Sequence, residues 1–241
     1  MKFSWSNFVF ILPHQGLGDL LISNGIFREY AKIKRKVFVA VKKSNAQQVE
    51  VMLQDVSNIS LWIFPNSIEA IIFRLMNLID LFNFDVIKLG YYGNNFIPPG
   101  TRFDKSFYDQ AGLPLDLRWD NFIIPRNKEK EQLLYSRLVT NQPYIFLHED
   151  QSRGMVINRN LITTKINIVE PLTQGDEFTV FDYLKIIENA TEIHVIESSF
   201  AHLIESVGIQ GSKFVHRYAR SLVMHDYRQT PTYRHDWKII S

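Results

Sequence analysis

The chain has 241 residues, is 46% hydrophobic and carries a formal net charge of +2. That length buries one large core or two small ones, and that charge gives no electrostatic reason to expect a nucleic acid or an anionic membrane as partner. The sequence contains no cysteine, which excludes disulfide scaffolds and thiolate metal sites.

Short β-branched and aromatic runs alternate with helical patterns along most of the chain. Strands are predicted at 8–12, 37–41, 59–63, 85–89, 144–148, 166–169, 193–196 and 213–216. Helices are predicted at 19–33, 45–54, 67–84, 128–139, 181–189 and 200–207. Alternation at this spacing favours a parallel α/β architecture. The rhythm breaks over 91–127, which holds Pro98-Pro99-Gly100, Gly112, Pro114 and Pro125. We read that segment as the connection between two α/β halves, 1–124 and 125–241. The apolar run 8–12 is too short for a bilayer span. The apolar stretch 68–84 is interrupted by Glu69, Arg74, Asn77, Asp80 and Asn83, so it reads as a buried helix. A cytoplasmic protein without a transmembrane segment is the expectation.

Three places carry candidate chemistry. The first is the turn after strand 8–12, His14-Gln15-Gly16-Leu17-Gly18-Asp19. Strand, glycine turn and helix in that order put the turn at the carboxyl edge of a parallel sheet, where open α/β folds bind ligands. The dinucleotide fingerprint needs a third glycine, and Leu21 stands there instead. Asp19 at the helix start would repel a diphosphate from the positive helix end. A carboxylate at this edge can instead take a proton from a sugar hydroxyl as general base; the plain alternative is that Asp19 caps the helix.

The second place is the end of strand 144–148, which delivers His148, Glu149, Asp150 and Arg153 into a loop. Arg153 can fork onto a phosphate or pair with the carboxylates beside it. The third is Glu197-Ser198-Ser199 after strand 193–196, running into a helix that carries His202 one turn on. A serine there caps the helix, and the first free N–H groups make an anion site. Glu197 suits a ribose diol, and His202 is within reach of a phosphate or sugar; the alternative is that the serine caps and the histidine packs. No H-x-H, H-E-x-x-H or D-x-D pattern occurs, so no metal site is expected. The tail 218–237, rich in Arg, His and Tyr, reads as a solvated cover over the sheet, crossing back to complete the C-terminal lobe.

Together Gly16-Leu17-Gly18-Asp19 and Glu197-Ser198-Ser199-Phe200-Ala201-His202 resemble the two motifs of GT-B glycosyltransferases, specifically the heptosyltransferase-like branch. More loosely, the His148 to Arg153 loop resembles the donor-phosphate loop of GT-B enzymes, including those using GDP-fucose. The resemblance implies two Rossmann-like parallel-sheet halves facing each other in a compact GT-B arrangement. It implies metal-independent transfer with inversion, a nucleotide sugar as co-substrate and no further cofactor. Asp19 would be the base on the acceptor half, beside the turn glycines Gly16 and Gly18. His148, Arg153, Glu197, Ser198, Ser199 and His202 would hold the donor. The sequence departs from the branch in having Glu197 where an Asp is usual, a serine in place of a glycine, and no lysine after the mid-chain strand. Two other readings stay open: an NADP-dependent oxidoreductase, with Lys42-Lys43 meeting a 2′-phosphate, and a non-catalytic nucleotide- or glycan-binding protein.

Overall fold

The computed structural model describes residues 7–68, 85–90, 101–172, 177–220 and 231–241. Most of the helix predicted at 67–84 and the Pro98-Pro99-Gly100 turn lie outside the described residues. The chain divides into two compact units, Met1–Pro125 and Arg126–Ser241.

In the first unit, β1 (Phe8–Leu12), β2 (Lys36–Lys42), β3 (Ile59–Phe64) and β4 (Asp85–Lys88) form a parallel sheet in the order β3-β2-β1-β4. The central strands are short apolar runs because a parallel sheet is covered on both faces. Val9, Ile11, Leu12, Val37, Val39 and Val41 are all fully buried. On one face Leu12, Ala40 and Phe64 form a cluster with Phe10 and Trp62 packed against it.

The helix predicted at 19–33 is two helices. The first, α1 (Leu17–Ile22), begins two residues earlier, and α2 (Asn24–Ile33) follows a joint at Ser23. Gly18 is therefore the second residue of a helix, and only Gly16 belongs to the turn. Next come α3 (Ala46–Leu53), α4 (Phe103–Gln110) and α5 (Leu117–Asp120).

The described part of the predicted connection, 101–125, is a packed piece of the first unit. An alanine Cβ at Gly25 of α2 would lie 2.1 Å from the Leu117 carbonyl oxygen of α5, so the two helices meet backbone to backbone. Arg118 and Asp104, both fully buried, form an ion pair at 2.5 Å between α5 and α4. Arg28 extends the joint by donating to Asp55, to the Met52 carbonyl and to the Ile123 carbonyl.

The second unit contains α6 (Lys128–Leu138), β5 (Tyr144–His148), β6 (Asn167–Val169), α7 (Leu184–Glu188), β7 (Glu192–Val195), α8 (Ser199–Val207), β8 (Ser212–His216) and β9 (Lys238–Ile240). Its five strands are parallel in the order β6-β5-β7-β8-β9. The tail crosses back as expected: the chain returns to the sheet and adds β9 beside β8, while 221–230, the middle of the segment expected as a solvated cover, lie outside the described residues. Glu205 of α8, a fully buried carboxylate, holds that return by accepting from the backbone N–H groups of Arg234 and His235 and from Trp237 Nε1.

Candidate functional site

Among the described residues, each unit has one place where the chain changes direction across its sheet. In the first unit it passes from β1 to β2 and β3 on one side, while β4 pairs with the other edge of β1. In the second it passes from β5 to β6, while β7 pairs with the opposite edge of β5. Crevices at the carboxyl ends of such strand pairs are where open α/β sheets take ligands. The sequence-predicted residues fall at these two places.

In the first unit, Gly16 is the N-cap of α1 in extended conformation, with no side chain capping the helix. Asp19 is thus the third helical residue, and the expectation that it caps the helix is corrected. Its Oδ2 lies 2.6 Å from Nδ1 of His14. A Cβ at Gly16 would lie 2.5 Å from that same oxygen, so glycine leaves the room the carboxylate occupies. Gln15, buried between them in sequence, ties the turn to β2: its Nε2 donates to the carbonyls of Pro13 and Ala40, and its Oε1 accepts from the Lys42 N–H. Asn45 adds a bond to the Gln15 carbonyl. At the end of β4, Gly90 has φ +80°, and a Cβ there would lie 2.9 Å from the His14 Cβ.

In the second unit, His148 at the end of β5 and Ser198 after β7 share a hydrogen bond of 3.1 Å between Nδ1 and Oγ. The His148 ring packs on Phe200 at 4.5 Å between centroids. Burial holds His148 down at about 4, against the upward pull of Asp150 and Glu149. Near neutral pH it is therefore a neutral hydrogen-bonding group, not a cation for a phosphate. Ser198 is the N-cap residue of α8, but no side chain caps the helix. The positive end of α8 consequently lacks the side-chain cap expected of the serines, and Ser199 is its first residue.

The remaining predicted donor residues lie differently. Glu197 is buried, with its carboxylate 3.5 Å from Arg217 Nε, and Arg220 donates to its carbonyl. A ribose diol would have to take the place of Arg217. His202 is buried one turn into α8, where its backbone N–H donates to the Ser198 carbonyl. Arg153 is paired with Asp150 at 2.5 Å, so the internal pairing is realised and a phosphate would have to compete for the guanidinium. The bonds from Ser152 and Arg153 hold the Asp150 carboxyl below the usual range.

Sequence reasoning gave His14 and Gln15 no role, placed Arg220 only in the tail and did not name Arg217. The signal for His14 was its position immediately after the strand-ending Pro13. Among the described residues, no group of three His, Asp or Glu side chains is arranged to hold a metal ion. No helix among them is long and apolar enough to cross a membrane.

No family model matches the sequence, and no curated protein matches it either. Solved structures do. A glycosyl transferase of family 9 from Veillonella parvula matches with TM-score 0.51 at 12% identity, over 89% of this chain and 82% of that one. The chain has the GT-B fold. Two E. coli proteins match with lower TM-scores: an ADP-heptose LPS heptosyltransferase II (0.48, 10% identity, 96% of this chain and 89% of that one) and a heptosyltransferase solved with ADP-2-deoxy-2-fluoro heptose (0.46, 12% identity, 96% and 92%). Within the GT-B fold, the two switch points described above are the carboxyl edges of its two parallel sheets.

Proposed function

We propose that the protein is an inverting, metal-independent glycosyltransferase, moving a sugar from a nucleoside-diphosphate donor to a hydroxyl of a glycan or similar acceptor. The observation that carries this reading is the opposite chemistry of the two switch points. The first unit presents a proton-accepting centre containing Asp19; the second presents the positive end of α8 beside the His148–Ser198 pair. The shared fold with a family 9 glycosyl transferase supports the same class.

On this reading the first unit serves the acceptor and the second the donor. The acceptor oxygen attacks the anomeric carbon, and the bond to the diphosphate breaks with its electron pair leaving on the phosphate. The hydroxyl proton passes to the centre at Asp19. The diphosphate charge is met by the N–H groups of α8, by Ser198 and Ser199, and by Arg153 once it leaves Asp150. Displacement in one step gives inversion. Glu197 and His202, buried behind that surface, shape the donor edge.

The NADP reading is weaker, because a pyrophosphate at the first turn would meet the Asp19 carboxylate, and Leu21 is buried where the fingerprint requires glycine. The test is turnover of nucleotide sugars by Asp19→Asn. Turnover should fall at least a hundredfold while donor binding persists. Full turnover by Asp19→Asn would sink the assignment.

A further inference from the structure

Two buried histidines in the second unit take no part in the proposed transfer. His194 on β7 and His216 at the end of β8 are 2% and 0% exposed, and Nδ1 of His194 lies 2.9 Å from Nε2 of His216. The other two ring nitrogens are also engaged. His194 Nε2 lies 3.1 Å from Glu192 Oε2, and His216 Nδ1 lies 3.1 Å from the Tyr218 hydroxyl. That hydroxyl accepts the backbone N–H of Asn158, in the loop after β5, at 2.7 Å. We propose that the histidine pair is a proton-operated latch on this loop, closed while both rings are neutral and opened when His216 takes up one proton.

The two ends of this chain of bonds set the closed state. An ionised carboxylate only accepts. Glu192, which also accepts from Thr164 Oγ1 at 2.6 Å, therefore puts the hydrogen of His194 on Nε2. The lone pair of a neutral His194 is then on Nδ1, and His216 donates to it from its own Nε2. His216 Nδ1 is left as an acceptor for the Tyr218 O–H. The other end demands the same direction: the Tyr218 oxygen accepts from Asn158, so its hydrogen is directed to His216. Each donor meets one acceptor, and neither ring carries a charge.

A proton on His216 Nδ1 reverses the last bond. The imidazolium becomes the donor, and the Tyr218 hydroxyl hydrogen loses its acceptor. A phenol oxygen has two positions in the ring plane; His216 N–H takes one, and the hydroxyl hydrogen then competes with Asn158 N–H for the other. The surrounding charges act in the same sense. Arg159, next to Asn158, opposes a proton on either ring and is itself repelled by an imidazolium. Lys238 on β9 lies 4.9 Å from the Phe214 ring that stacks on His194. Glu192 is the opposing charge, at the far end on His194. The Asn158 side chain caps the turn Arg159–Leu161, and Arg159 reaches Glu149 at 3.1 Å and Glu170 at 2.5 Å. The segment that opens is this turn.

Burial, ahead of these charges, holds the closed His216 at about 4. Once the latch opens, the ring meets water and regains an ordinary pKa of about 6.5. The open form binds a proton that the closed form refuses, so closure is favoured above about pH 6.5 and loses ground as pH falls towards about 4.

Amide hydrogen exchange at Asn158, corrected for the intrinsic rate at each pH, tests the latch on the full chain. Between about pH 7.5 and pH 5 its protection should fall by up to about thirtyfold and by at least about fivefold. Tyr218→Phe keeps the ring and removes the hydroxyl. There Asn158 should be weakly protected already at pH 7.5 and change by less than about twofold across the range. The amides of β5 and β7 should stay better protected than Asn158 in both proteins. Nitrogen-15 resonances of the unaltered protein at pH 7.5 should show His194 and His216 neutral, each with its hydrogen on Nε2. A hydrogen on Nδ1 of either ring, or a fall at Asn158 smaller than fivefold, overturns the latch. So does a fall that persists in Tyr218→Phe, or exchange at Asn158 that matches the strands at every pH. No readout uses a nucleotide sugar, so failure here is separate from failure of the transferase reading.

Discussion

Mild acid should destabilise the second unit through its buried histidines. His148 and His216 are both held down at about 4 by burial, and His194, beside His216, is lowered for the same reason. His194 and His216 sit in a buried chain of hydrogen bonds. Thr164 Oγ1 donates to Glu192, Glu192 Oε2 lies 3.1 Å from His194 Nε2, His194 Nδ1 is 2.9 Å from His216 Nε2, and His216 Nδ1 reaches the Tyr218 hydroxyl. The nearby guanidinium of Arg159 further opposes a proton on either ring.

An unfolded histidine binds its proton near pH 6.5. Because the folded pKa lies below the unfolded one, the unfolded chain takes up the proton first. The stability contribution is complete above the unfolded pKa and is lost as pH falls from about 6.5 towards about 4. A shift from about 6.5 to about 4 makes each site cost about 2 kcal/mol at pH 5 relative to pH 7. Counting His148 and His216 once each, and His194 not separately because it is coupled to His216, the loss is about 4 kcal/mol, a large share of an ordinary domain's stability. Urea unfolding followed by circular dichroism between about pH 7.5 and pH 5 reads this as a falling midpoint. The carboxylates of Asp150 and Glu192, held below their usual range, titrate below that window. His216→Gln should remove about half of the slope. A midpoint constant across the window, or an unchanged slope in His216→Gln, would refute the reasoning.

Three further outcomes are expected. Gly16→Ala has a backbone conformation (φ −70°) that alanine adopts without strain, but its Cβ meets Asp19 Oδ2; turnover should fall at least about tenfold with little change in melting temperature. Glu205→Ala leaves three donors of the returning tail without their buried acceptor and should cost about 1–3 kcal/mol, with Trp237 fluorescence shifted to the red and earlier proteolysis near the C-terminus. Asp104→Ala strands the fully buried Arg118 charge and should destabilise the first unit by about 3–5 kcal/mol in chemical denaturation.

The parallel α/β frame was readable because buried strands such as Phe8–Leu12 and Tyr144–His148 are uninterrupted apolar runs between turn residues. The pairing of Arg153 with Asp150 was also within reach, being three residues apart. What escaped the sequence was set by partners far along the chain or by a few backbone angles. Gly16 and Gly18 look alike in a string; only the helix start at Leu17 separates turn glycine from helix glycine. Asp19 fits a cap chemically, yet its carboxylate went to His14. His148 and Ser198 meet across 50 residues, and Glu197 meets Arg217 because parallel β7 and β8 pair Val195 with Val215, which brings the residues two further on side by side. The three-residue strand β9 carries too little pattern to be seen, and its place depends on Glu205, some thirty residues earlier.

The most direct test of the central claim is thermal shift of the intact chain against GDP, UDP, ADP, CMP and NADP, each with its matching nucleotide sugar where one exists. A ligand at 100 times its dissociation constant adds about 2.7 kcal/mol to stability, enough to read clearly. The account expects selective stabilisation by one nucleoside diphosphate and its sugar conjugate, retained in His14→Gln and Asp19→Asn. Stabilisation by NADP alone, or by none of these nucleotides, would contradict it.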